Sequence, residues 1–201
     1  MTGSKRKAAG WGGVIYKPAG QHRAAAALHL LAGPVATDAT HPEHTGATNA
    51  TNNAGELIAM TKMLQAAPTL AGPHERVEIQ SDSLVAILAA LGGTARKRRR
   101  QTRKKDPNAQ LKRNIRAAYA IAKKRLGHRR LTIRKVKGHS GHHWNEIADA
   151  LAGIGREAAT TEQAIATAEL NDRIHRALDA IGGGDIEEWS GWGWPGLEDA
   201  P

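Results

Sequence analysis

The chain has 201 residues and a formal net charge of +10, from 29 lysines and arginines against 19 acidic residues, and it contains no cysteine. This length allows one sizeable core with an appendage, and the missing cysteines exclude disulfide bonds and thiolate metal sites. No apolar run is long enough to cross a bilayer and no apolar stretch follows the basic amino terminus. We therefore expect a soluble, cytoplasmic protein without a signal peptide.

The chain opens with the pattern of a β-hairpin. The segments "WGGVIYK" (11–17) and "AAAALHLLAG" (24–33) read as strands on either side of the turn "PAGQ". Residues 34–50 are rich in proline, threonine, histidine and glycine, which predicts a loop. The segment "TNNAGELIAMTKMLQAAP" (51–68) predicts a helix that begins at threonine and asparagine and stops at a proline.

Strands and helices alternate through the middle of the chain. "RVEIQS" (76–81) reads as a strand, "LVAILAAL" (84–91) as a short helix and "LTIRKV" (131–136) as another strand. The helix between the last two carries an apolar stripe made of Leu111, Ile115, Ala118, Ala122 and Leu126. This order predicts a mixed α/β sheet flanked by helices. Functional groups of such sheets gather at the carboxyl ends of strands, where Asp82 and the Gly138-His139 segment lie.

A block of basic residues separates two of the predicted helices. The segment "RKRRRQTRKK" (96–105) holds eight basic residues in ten positions: Arg96, Lys97, Arg98, Arg99, Arg100, Arg103, Lys104 and Lys105. Such a run is consistent with a solvated loop or with a patch that binds the phosphates of a nucleic acid. A membrane surface fits less well, because no apolar anchors are interleaved with the charges.

Three acidic residues stand beside apolar elements. Asp82 ends a strand and Glu56 lies near the start of a helix. Asp149, with Asn145, lies on the helix face opposite the apolar residues Trp144, Ile147, Leu151 and Ile154. A lone aspartate on a helix is usually a solvent-exposed surface residue without a function. A cluster of carboxylates, in contrast, suits hard cations such as Mg²⁺, and two such ions can assist an in-line displacement at a phosphodiester.

The histidine-rich stretch allows a second metal hypothesis. In "KGHSGHHWNEIADALAG" (137–153), a zinc site would need His139, His142 or His143 together with Glu146. Nothing else nearby supplies the remaining ligands of a closed tetrahedral site. The carboxylate interpretation is therefore favoured over zinc.

Three sequence blocks resemble those of type 1 ribonuclease H, and they come in the order of that family. They are "TNNAGELIAM", "SDSLVAIL" and "VKGHSGHHWNEIADALA", against family patterns TNN-x-x-E-L, T/S-D-S and K-G-H-x-G-x-x-x-N-E-x-A-D. In addition, "AGWGGVIY" resembles the second strand of the family. The resemblance covers residues 2–157 and implies a ribonuclease H-like fold, which is a mixed five-stranded sheet flanked by helices.

The resemblance also implies an activity and a site. It implies an endonuclease that cuts the RNA strand of RNA–DNA hybrids with Mg²⁺ or Mn²⁺, through the metal-binding catalytic carboxylates Glu56, Asp82 and Asp149. His139 is implied to assist proton transfer or product departure. The residues implied to contact the hybrid are Thr51, Asn52, Asn53 and Asn145, while the block 96–105 matches the position of a basic element that grips the DNA strand.

One feature of the family is missing. The family begins with a central strand that ends in an aspartate, written T-D-G-S, whereas here the chain reads T-G-S at residues 2–4. Thr2 has no carboxylate to offer, and the absence of a central strand predicts unpaired backbone groups on its neighbours. Three interpretations stay open: a start codon assigned too far downstream, another segment or chain that fills the gap, or a degenerate module that binds hybrids without cutting them.

The carboxyl-terminal part differs in character from residues 1–157, which we predict to be the ribonuclease H-like domain. Residues 158–181 predict an extra helix. Residues 182–201 form a glycine-jointed tail with five acids, no bases and three of the five tryptophans. An unstructured terminus is the simplest interpretation of this tail. Its tryptophans also make it a candidate docking peptide for another protein, or a segment that folds back on the basic block.

Overall fold

Strands and helices alternate along the chain in the structure, a computed structural model that describes residues 8–17, 26–92, 106–138 and 143–159, together with Asp172 and Arg176. The elements are β1 (Gly10–Lys17), β2 (Ala26–Pro34), α1 (Asn52–Leu70), β3 (Val77–Ser81), α2 (Leu84–Leu91), α3 (Ala109–Leu126), β4 (Leu131–Lys135) and α4 (His143–Ala158). This order confirms the predicted α/β class. The antiparallel pairing of β1 with β2 confirms the two strands of the predicted hairpin, whose turn "PAGQ" lies outside the described residues.

The four strands form two separate two-stranded sheets. β1 and β2 pair antiparallel, with Gly10 opposite Pro34. β3 and β4 pair parallel, with Val77 opposite Leu131. Within the described residues no strand joins the two sheets, so the mixed sheet expected from the sequence is present here as two parts.

Helices cover both faces of the hairpin. A Cβ at Gly12 would overlap the main chain of Ala148 and Ala152 in α4. A Cβ at Gly13 would instead meet the side chain of Met63 in α1, 2.6 Å from its Cε. Because successive residues of a strand point to opposite faces, α4 packs on one face of β1 and α1 packs on the other.

The main hydrophobic core lies among α1, α2 and α3. Its largest fully buried side chains are Leu57, Ile58 and Leu64 from α1 with Leu111 and Ile115 from α3. All five members of the predicted stripe on α3 are buried, which confirms that interpretation. α4 contacts β1 and β2, and its Ile147 and Leu151 are also fully buried.

The sequence predicted the start of α1 correctly and its end wrongly. The predicted start is confirmed, because the Thr51 hydroxyl accepts a hydrogen bond from the Ala54 amide at 3.2 Å. The predicted stop at Pro68 is wrong, because the helix continues for two residues beyond it. A proline near a helix end removes only one hydrogen bond, and the last turn still closes through the Ala71 amide and the Ala67 carbonyl at 3.1 Å.

Several predicted segments lie outside the described residues. They are the basic block 96–105, most of the extra helix 158–181 and the tail 182–201. The division into a domain over 1–157 and these appended parts therefore stays a prediction. In the part of the chain that the structure describes, no helix is long and apolar enough to cross a bilayer.

The packing of α3 can be tested with a pair of isoleucines. Ile115→Ala should lower the free energy of unfolding by about 2–5 kcal/mol, because the side chain is fully buried. Ile121 lies on the same helix and is 54 % exposed, so Ile121→Ala should change the free energy of unfolding by less than about 0.5 kcal/mol. Urea unfolding followed by circular dichroism measures both, and equal losses would contradict this packing.

Candidate active site

Three acidic side chains from three elements line one cavity. Glu56 comes from the start of α1, Asp82 follows β3 directly and Asp149 comes from the middle of α4. The cavity has a volume of about 1000 Å³. Glu56 and Asp82 are partly buried, whereas Asp149 is exposed. The three carboxylates that the sequence singled out thus border the same cavity.

Ser83, the residue that follows Asp82, connects Glu56 to the start of α2. Its hydroxyl donates a hydrogen bond to Glu56 Oε2 and accepts one from the Ala86 amide at 3.2 Å, as the amino-terminal cap of α2. The Ser83 side chain is buried. Because the cap fixes this hydroxyl, the start of α2 holds the Glu56 carboxylate beside the end of β3.

Gly138 lies directly against the Asp82 carboxylate. The carboxyl ends of β3 and β4 meet, since the Val136 amide donates to the Ser81 carbonyl at 3.0 Å. A Cβ at Gly138 would lie 2.5 Å from Asp82 Oδ2. A side chain at position 138 would therefore displace the Asp82 carboxylate, and Asp82 and Gly138 lie together at one end of the β3–β4 sheet.

The chemistry of these oxygen donors suits a hard divalent cation. Their arrangement does not yet fit one, because among the described residues no three acidic or histidine side chains form a group that could hold a metal ion. No reaction step through a metal follows from this geometry. The zinc hypothesis is untested, since His139 and His142 lie outside the described residues and the side chain of His143 is not described.

The polar residues predicted to contact a substrate differ in their surroundings. Thr51 caps α1, while Asn52 and Asn53 are exposed beside it. Asn145 lines the cavity, and its buried side-chain Nδ2 has no hydrogen-bond partner within the described part of the chain. A buried donor without an acceptor is costly, so Asn145 Nδ2 is a candidate donor to an acceptor on a ligand.

Sequence reasoning missed one feature of this site and one feature of α3. The first is the role of Ser83, for which the available signal was a serine immediately before an apolar helix. The second is the charge of α3, which carries six basic residues and no acidic one: Lys112, Arg113, Arg116, Lys123, Lys124 and Arg125. The predicted catalytic residue His139 and the eight basic residues of 96–105, predicted to bind nucleic acid, lie outside the described residues.

Comparison with known proteins gives one family. A family model described as RNase H matches residues 4–157, which is well over half of the chain and includes Glu56, Asp82 and Asp149. No curated protein and no solved structure matches the chain.

The contact between Gly138 and Asp82 yields a prediction. In Gly138→Ala the carboxylate must retreat by about 1 Å to reach ordinary van der Waals contact, so the NMR signal of the Asp82 carboxyl carbon should move. Gly153→Ala is the matched control, because a Cβ there meets nothing within 4 Å. An unchanged Asp82 signal in Gly138→Ala would show that the two residues are not in contact.

Proposed function

The chain belongs to the ribonuclease H family, and on this premise we propose that it is an endoribonuclease that hydrolyses the RNA strand of RNA–DNA hybrids. The observation that carries the proposal is that Glu56, Asp82 and Asp149, which come from three separate elements, line the same cavity. These are the positions at which the chain matches the acidic residues of the family motifs.

In this proposal the three carboxylates are the catalytic residues, and Mg²⁺ or Mn²⁺ is the cofactor. His139 assists proton transfer or product departure. Ser83 and Gly138 are positioning residues, because they touch Glu56 and Asp82 respectively. Holding carboxylates in a fixed place before the substrate arrives is a general source of catalytic power.

We propose that substrate recognition divides between the two strands of the hybrid. Thr51, Asn52, Asn53 and Asn145 are the proposed contacts to the RNA strand, whose 2′-hydroxyls are displayed in a wide, shallow minor groove. The block 96–105 and the basic face of α3 are the proposed phosphate contacts. Each phosphate that they neutralise releases counterions, which makes such binding sensitive to salt.

A second candidate function has one observation in its favour. The chain reads T-G-S at residues 2–4, where the family pattern T-D-G-S has an aspartate. This supports a module that binds hybrids without cutting them. Such a module has no metal-dependent turnover, and neutralising Asp82 or Asp149 leaves its binding unchanged.

The remaining parts of the chain enter the proposal as follows. Residues 1–157 are the proposed nuclease domain, 158–181 a proposed added helix, and 182–201 an acidic, tryptophan-rich tail that is a candidate docking peptide for another protein. The protein acts in the cytoplasm.

The catalytic proposal is tested by neutralising one acid. Asp149→Asn should reduce the rate of cleavage of an end-labelled RNA–DNA hybrid in Mg²⁺ by about 100-fold or more. A catalytic carboxylate of this kind lowers the activation free energy by roughly several kcal/mol. Asp38→Asn is the matched control, because Asp38 lies in an exposed loop outside the cavity. Binding without cleavage by the unsubstituted chain would instead favour the second candidate function.

The role of Asn145 is tested by binding and stability together. Asn145→Ala should weaken hybrid binding by roughly 3- to 10-fold, which corresponds to the free energy of one hydrogen bond. The variant should not lose stability, because Asn145 Nδ2 has no hydrogen-bond partner in the described structure. Asn114→Ala is the control, since Asn114 Nδ2 donates to the Thr45 carbonyl at 2.7 Å. That variant should lose stability and keep its affinity, and the reverse pattern would contradict the assignment.

A further inference from the structure

The side of α3 that faces away from the core carries an exposed apolar patch. It consists of Ala117, Ala120 and Ile121, which adjoin because residues three and four apart are neighbours on a helix surface. All three are exposed. The core contacts of α3 use the opposite side of the helix, so packing of the core does not account for this patch.

Four cations flank the patch. Arg113 and Arg116 lie one turn before it, and Lys124 and Arg125 lie one turn after it. All four are exposed, and none of them forms an ion pair with an acid in the part of the chain that the structure describes. The two pairs are roughly 15 Å apart along the helix axis. The patch and these four cations together are called the α3 outer face below.

The carboxyl-terminal tail has the complementary order of groups. In "DIEEWSGWGWPGLED" (185–199), acids precede the three tryptophans and further acids follow them, with no basic residue between. Carboxylates form charge-assisted hydrogen bonds with arginine and lysine. Tryptophan buries a large apolar area and is the aromatic ring that attracts cations best. The order acid, aromatic, acid in the tail therefore matches the order cation, apolar, cation on the α3 outer face.

The connection to the tail is long enough to reach α3. α4 ends at Ala158 and packs on one face of the hairpin, whereas α1 packs on the other face and α3 packs on α1. At about 10 Å per packed layer, α4 and α3 are about 30 Å apart. Residues 159–184 would span about 40 Å as a continuous helix and about 85 Å when extended.

We propose that residues 185–199 bind the α3 outer face of the same chain. The tryptophans cover the apolar patch and the carboxylates pair with the flanking cations. A tethered segment has an effective concentration on the order of mM, so contacts that are weak one by one keep the tail bound. The bound tail also covers cations that are proposed above to contact phosphates, but the contact itself does not rest on the proposed nuclease activity.

Paramagnetic NMR of the full chain tests where the tail lies. The chain contains no cysteine, so Ser190→Cys provides one attachment point for a nitroxide between the tryptophans. At an ionic strength of about 20 mM, the amide signals of residues 113–125 should lose at least about half of their intensity. The amide signals of 143–158 on α4 should keep theirs. Unchanged signals over 113–125, or equal losses on α3 and α4, would overturn the proposal.

Charge reversal tests the pairing. Lys124→Glu combined with Arg125→Glu should restore at least about half of the lost intensity, because like charges then face each other. Arg156→Glu is the matched control, since Arg156 is exposed on α4, and it should leave the losses unchanged. In the unsubstituted labelled chain, about 0.5 M salt shortens the Debye length to about 4 Å and should also restore the signals. Losses that survive both treatments would overturn the proposal.

A mixing experiment tests which molecule supplies the tail. Isotope-labelled chain without the nitroxide is mixed with an equal amount of nitroxide-bearing chain that has no isotope label. An intramolecular contact predicts no loss of intensity over 113–125 in this mixture. A loss as large as in the doubly labelled chain would assign the α3 outer face to the tail of a second copy and would overturn the proposal. None of these readouts depends on cleavage of a hybrid.

Discussion

The close approach of α4 to β1 is the contact on which the candidate site depends. At Gly10 and Gly12 the helix backbone occupies the space that a side chain would need, and Gly155 lies equally close to the Gly33 carbonyl of β2. Larger residues would push the helix away from the sheet. This approach carries Asp149 into the cavity lined by Glu56 and Asp82, so glycines without any chemistry of their own position a catalytic candidate.

The division of the sheet connects the fold to the proposed function. Within the described residues no strand joins β1 to β3, and residues of both strands line the cavity that Glu56, Asp82 and Asp149 also line. The packing of the two sheets and their helices therefore determines where the candidate site lies.

Local patterns predicted much of this structure. The stripe on α3 and the cap at Thr51 follow from periodicity and side-chain chemistry within a few residues. The motif match named Glu56, Asp82 and Asp149 as one site. Prediction failed locally at the end of α1, which runs past Pro68 because its last turn closes on Ala67. It also failed where long-range packing decides the outcome, since neither the separation of the two sheets nor the contact of Gly138 with Asp82 is encoded in a local pattern.

The most direct test of this account compares two proteins. One is the unaltered chain. The other carries a valine- and isoleucine-rich strand and the sequence T-D-G-S in place of the first four residues. Cleavage of the RNA strand of an end-labelled hybrid in Mg²⁺ is measured for both. The account predicts cleavage well above background by the strand-bearing version, and loss of that cleavage on Asp149→Asn. An inactive strand-bearing version that still folds, or cleavage unaffected by Asp149→Asn, would contradict it.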